Sequence, residues 1–123
     1  MLQHHLFTFT DLQIEKDIVK THIKLNPLHP IFKGHFPDNP ILPGVCMMQM
    51  VKEVLEAYTN KEIKLVLGQD FKFLSIICPE ENTMIQMEFK INTENEKIRI
   101  VAQLLTNTIV FFKFKGTFHY RWN

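Results

Sequence analysis

The chain has 123 residues, of which 46% are hydrophobic and 22% charged, with a formal charge of +1. That length suits one domain, residues 1 to 123, which buries roughly two thirds of its unfolded surface. The near-neutral balance gives no whole-molecule attraction to nucleic acid, and the longest apolar stretches, such as "TIVFF", are too short to cross a bilayer. No nucleic-acid partner and no membrane partner are therefore expected.

The N-terminal "MLQHHLFTFTDLQ" lacks the basic start and continuous apolar core of a signal peptide. Cys46 and Cys78 lack paired spacing, which suits reduced thiols, so the expected location is cytoplasmic. In chain order, strands are predicted near 5 to 13 and 17 to 25. Then comes "HPIFKGHFPDNPILPGVCMMQM", residues 29 to 50, where Pro37, Pro40 and Pro43 stiffen the loop that carries His35. From Gly44 a helix follows, because Met47, Met50, Val51, Val54, Leu55 and Tyr58 recur on one stripe. Its first turn, Val45 to Met48, is apolar all round and needs cover on two sides, most simply from a second copy of the chain. Lys52, Glu53 and Glu56 make its far end polar.

Beyond the helix, period-two alternation dominates. A strand is predicted near 62 to 74. "MIQMEFKI" sets Ile85, Met87, Phe89 and Ile91 on one face, and "KIRIVAQL" does the same with Ile98, Ile100, Ala102 and Leu104. "IVFFKFKGTFHYRW" sets Phe112, Phe114, Phe118, Tyr120 and Trp122 against Lys113, Lys115, His119 and Arg121. Turns are predicted at "NTEN", 92 to 95, and "TNT", 106 to 108. One long helix with antiparallel strands is an α+β arrangement whose sheet covers the helix stripe.

A histidine held rigidly before a helix N-terminus suggests a definite chemistry. Helix starts offer unpaired N–H groups and a partial positive charge that steady a developing oxyanion. Histidine moves protons near neutral pH. The pair suits removal of a proton from carbon beside a carbonyl, with the enolate oxygen held near Gly44; the alternative is that His35 only caps a loop.

"GHFPDNPILPGV" resembles the signature of the 3-hydroxyacyl-(acyl carrier protein) dehydratases. The resemblance is dense over residues 29 to 51, and length and element order extend it to most of the chain. It implies the hotdog fold, an antiparallel sheet wrapped around one long central helix, and dehydration of acyl-carrier-protein thioesters to trans-2-enoyl products without a cofactor. It further implies that His35 is the base, that Gly44 offers its N–H to the thioester carbonyl, and that the residue fourteen after His35, contributed by a partner subunit, completes the site. That residue is a glutamate or aspartate in the family and Gln49 here. An amide positions but does not donate a proton as an acid. Gln49 falls with Val45 and Glu56 opposite the apolar stripe, toward the expected partner.

Phe36, Pro43, Val45, Met47, Met48, Phe71 and Phe73 are the candidate lining of the acyl slot. The expected assembly is a homodimer, with a heterodimer with a paralogue as the alternative. Two further functions stay open: a noncatalytic acyl-binding subunit, and a thioesterase in which Gln49 orients water. Cys46 is a core residue or, less simply, a nucleophile; Glu53 and Asp38 are solvated or displaced acids. The six histidines lack ligand spacing, so no metal is expected. Lys33, Lys113, Lys115 and Arg121 are solubilising charge or a surface for an acidic carrier protein.

Overall fold

The computed structural model describes residues 1 to 34 and 38 to 121; His35, Phe36, Pro37, Trp122 and Asn123 lie outside the described residues. The elements are β1 (Phe7–Phe9), β2 (Gln13–Glu15), β3 (Ile18–Leu25), α1 (Ile31–Gly34), α2 (Gly44–Thr59), β4 (Ile63–Phe73), β5 (Met84–Glu94), β6 (Lys97–Leu105) and β7 (Val110–Tyr120). The sheet runs β1-β3-β5-β6-β7-β4, with β2 also paired to β3. Every strand pair is antiparallel. This is the hotdog arrangement that the resemblance of "GHFPDNPILPGV" implies.

The chain leaves β3 near one edge, passes through both helices, and re-enters at β4 on the opposite edge. α2 is thereby carried across the sheet. Cys46, Met47, Met50, Val51, Val54 and Leu55 share one core with Ile85, Met87 and Phe89 of β5, Ile98, Ile100, Ala102 and Leu104 of β6, and Phe112, Phe114 and Phe118 of β7. Tyr58 ends the stripe edge-on to Phe89, with ring centroids 5.6 Å apart. The helix stops at Asn60, whose φ of 56° is a left-handed cap that asparagine tolerates.

Several local expectations change. Of the strand predicted over 5 to 13 only Phe7–Phe9 forms β1, and a second short strand, β2, begins at Gln13; both share β3, β1 pairing with Ile23 to Leu25 and β2 with Ile18 to Lys20. Between them Thr10 Oγ1 accepts the His22 N–H at 3.0 Å. The turn predicted at 92 to 95 lies later. β5 continues to Glu94, opposite Lys97, and Asn95 and Glu96 make the turn at φ of 50° and 68°. Two left-handed residues match the twist of a two-residue hairpin better than the more extended Asn92 and Thr93. In β7, Leu104 pairs with Phe112 but Leu105 with Val110, so Phe111 is a bulge residue. The extra residue turns both Phe111 and Phe112 inward, against simple alternation.

Candidate active site

α2 begins where Pro43, with φ −65° and ψ 147°, turns the chain from extended to helical. The Pro43 carbonyl accepts the N–H groups of Cys46 and Met47 at 3.0 and 3.2 Å. Among the described residues no side chain caps this end, so the N–H groups of Gly44 and Val45 point along the helix axis past its start without a capping acceptor. Gly44 also solves a problem of space. A Cβ there would stand 2.7 Å from Cε1 of Phe73, so only glycine lets that ring lie against the helix start.

Beside Gly44 opens an apolar groove of about 460 Å³, lined by residues 41 to 44, Met47, Phe73, Leu74, Ser75 and Ile76. Its walls are fixed by backbone bonds. Leu42 N–H donates to the Ile77 carbonyl at 2.9 Å, and the N–H groups of Leu74 and Ser75 share the Phe111 carbonyl at 2.8 and 3.2 Å. Phe73 stacks on Phe112 with centroids 5.0 Å apart. A helix N-terminus thus meets a channel suited to an alkyl chain.

The structure brings four of the sequence candidates together here: Pro43, Gly44, Met47 and Phe73. His35 and Phe36 lie outside the described residues, on the segment between α1 and the turn before the groove. Val45 is 77% exposed and points away from the core. Met48 is half-buried and packs against the core, not the groove. Phe71 is exposed beside Phe114, with ring centroids 5.0 Å apart. Sequence reasoning missed Ile41, Leu42, Leu74, Ser75 and Ile76. The signal was the aperiodic apolar run "LSII", residues 74 to 77, which follows a strand without continuing its alternation.

Gln49 does not line the groove of its own chain. It sits about 160° around the helix from Met47. Its Nε2 donates to Glu53 Oε2 at 2.9 Å. Glu53 is neither solvated nor an exposed acid, as its polar surroundings in the sequence led us to expect: it is 1% exposed. Its carboxylate also accepts the N–H groups of Leu2 and Gln3, each at 2.8 Å. The reason is tertiary, because the N-terminal segment crosses this side of α2 and brings backbone donors that the helical pattern does not reveal. Asp38 is exposed.

Cys46 is buried in the core, and burial pushes its thiol above the ordinary value, which works against a nucleophilic thiolate. Burial, and then the charge of Glu81, push Cys78 the same way. Among the described residues no group of histidine, cysteine and carboxylate side chains is arranged to hold a metal. No described helix is long and apolar enough to cross a membrane. Lys33, Lys113, Lys115 and Arg121 are all exposed.

Residues 11–110 match the ApeI-like family, described as ApeI dehydratase. Among curated relatives, the 3-hydroxyacyl-(acyl carrier protein) dehydratase FabZ of Chlamydia pneumoniae is 28% identical over 116 residues, covering 83% of this chain and 74% of that protein. FabZ of Chlamydia caviae is 31% identical over 90 residues, covering 66% of this chain and 57% of that one. The chain thus spans little more than half the length of the second relative. Among solved structures, the dehydratase heterocomplex ApeI:P from Xenorhabdus doucetiae aligns with a TM-score of 0.72 and 16% identity, over 92% of this chain and 97% of that one.

Proposed function

The chain belongs to the ApeI-like dehydratase family, and from that premise we propose that it dehydrates 3-hydroxyacyl thioesters carried on acyl carrier protein. The observation that carries this reading is the junction of an uncapped helix start at Gly44 with the apolar groove. A thioester carbonyl placed at the Gly44 N–H leaves its acyl chain to run between Met47, Phe73 and Ile76. His35 takes the proton from C2, and the oxyanion is steadied by the helix start. The C2 electron pair then forms the C2=C3 bond as the C3–O bond breaks. With an amide at residue 49, the departing hydroxyl takes its proton from the imidazolium that His35 has become, through water positioned by Gln49. Water and the trans-2-enoyl thioester leave, and His35 returns to its neutral form without any cofactor.

In this reading two copies share each site, with Gln49 reaching the His35 and Gly44 of its partner. Support comes from exposed apolar surface in one chain: Val45 at 77%, and Leu65, Leu67, Phe71 and Phe73 of edge strand β4 at 37 to 55%. Unpaired edges of this kind are ordinarily covered. The chain acts where its soluble carrier does, in the cytoplasm. The whole chain, residues 1 to 123, works as one domain.

A second reading has a specific observation behind it. Gln49 replaces the acid, and the structural relative ApeI:P is itself a heterocomplex. The chain would then be the acyl-binding, noncatalytic half of a heterodimer. The deciding experiment is an assay of the pure protein with 3-hydroxyacyl and 2-enoyl thioesters of several lengths. Enoyl product from the pure chain supports the enzyme. Activity only after addition of a related chain with an acid at the corresponding position supports the partner subunit, and release of free acid overturns both.

A further inference from the structure

Gln49 occupies the position where a proton donor is expected, yet its amide is already committed. Both oxygens of Glu53 accept N–H donors: Oε2 from Leu2 and Gln49, and Oε1 from Gln3. A carboxylate so engaged takes only the nitrogen end of a neighbouring amide, which fixes the Gln49 rotamer and its O/N orientation. The carbonyl oxygen of Gln49 must therefore point away from Glu53. Glu53 cannot itself reach a substrate, since it is 1% exposed beneath the N-terminal segment.

We infer that Glu53 is a positioning residue, which acts through Gln49 and is held in place by the backbone of Leu2 and Gln3. This rests on the dehydratase reading and deepens it. The site in the partner copy receives an acceptor oxygen and one remaining N–H, not a freely rotating amide. An acceptor there binds the substrate's 3-hydroxyl, or the relaying water, through its hydrogen. The lone pairs of that oxygen are left free to accept the returning proton. The arrangement also explains how an amide substitutes for an acid: it fixes the direction of the hydroxyl and leaves all proton transfer to the histidine.

The same geometry changes what restoring an acid should do. Gln49→Glu alone sets two carboxyl groups against each other across a 2.9 Å contact. The exchange Gln49→Glu with Glu53→Gln keeps a donor-to-acceptor pair with the carboxyl at residue 49. We expect the exchanged protein to dehydrate faster than the Gln49→Glu single variant.

The test compares wild type, Glu53→Gln, Gln49→Ala and the double variant, assayed with a 3-hydroxyacyl pantetheine thioester. The Gln49 side-chain amide is followed in parallel by ¹⁵N NMR, assigned by its loss in Gln49→Ala. Glu53→Gln should lower kcat about ten-fold or more while KM changes less than about two-fold, because orientation and not binding is lost. In the Gln49→Ala background the same change should have no further effect on kcat. In wild type, one Gln49 amide proton should exchange slowly, and Glu53→Gln should abolish that protection. Equal losses in both backgrounds, or an unchanged kcat, overturn the inference in favour of a purely structural glutamate. If Glu53→Gln does not fold, wild-type exchange decides, and two rapidly exchanging Gln49 protons overturn it. If the wild type turns over no thioester, the dehydratase reading fails separately. A shift of the protected Gln49 resonance on adding the thioester then still supports the positioning role, and no shift overturns it.

Discussion

β4 and β5 are both eleven-residue strands, and they have opposite fates. In β5, Ile85, Met87 and Phe89 are at most 2% exposed. In β4, Leu65, Phe71 and Phe73 stand opposite Phe118, Phe114 and Phe112 of β7, on the same face of the sheet, yet are 37 to 55% exposed. Their apolar character is similar; their neighbours are not. β5 lies between β3 and β6 and contributes to the core shared with α2, whereas β4 is an edge strand paired only with β7. Burial is set by what lies in front of a strand, and apolar surface left open is where a partner or ligand can bind. The candidate groove lies at this open end, with Phe73 as its hinge between sheet and helix start.

The difference between a filled half and an open half can be broken at several points. On the dehydratase reading, the largest effect is expected for chemistry and not for stability. His35→Ala should lower dehydration by about 10²–10⁴-fold, the usual worth of a general base, with the thermal midpoint little changed. Steady-state assay beside calorimetry checks this, and a drop in both together would make His35 a structural residue.

Next come the two halves compared directly. Phe118→Ala, in the filled core, should cost about 3–5 kcal/mol in urea denaturation, since a fully buried ring leaves a cavity. On the shared-site reading, Leu67→Lys, on the exposed edge, should cost much less within a chain but shift analytical ultracentrifugation from dimer to monomer, with activity lost alongside. A variant that stays dimeric and active would place the partner on another surface.

Gly44→Ala should have an intermediate effect at the boundary between the halves. The new methyl meets the Phe73 ring, so about 1–3 kcal/mol of overpacking is expected, together with a lower kcat as the ring is pushed into the groove. Phe73→Leu in the same chain should relieve the stability loss. Absence of that rescue would mean that another contact fixes the glycine.

The smallest effect concerns Cys46. Burial raises its folded value above the ordinary 9.0, so the thiol stabilises the fold fully below that pH. That contribution is lost as pH rises through the raised folded value. Iodoacetamide should therefore label Cys46 far more slowly in the native protein than in urea, and denaturation midpoints should fall only in alkaline buffer. Rapid native labelling near neutral pH would revive the nucleophile.

Much of this architecture follows from local physics. The stripe from Met47 to Tyr58 specifies α2, and alternation specifies β5, β6 and β7, because these periods depend only on backbone geometry and on burying one face. The proline-rich motif likewise points to the helix start at Gly44. Other features were decided only in three dimensions. Phe111 turns inward because a bulge in its pairing with β6 adds a residue, and pairing is a property of two distant segments. Leu74 to Ile76 line the groove because backbone bonds to Phe111, and one between the adjoining Ile77 and Leu42, fold them back toward α2. Glu53 looks solvated on a helical wheel and is buried in the structure, since its partners are the N–H groups of residues fifty positions away. A sequence states which groups a segment must bury or satisfy; only the folded chain decides which remote atoms do it.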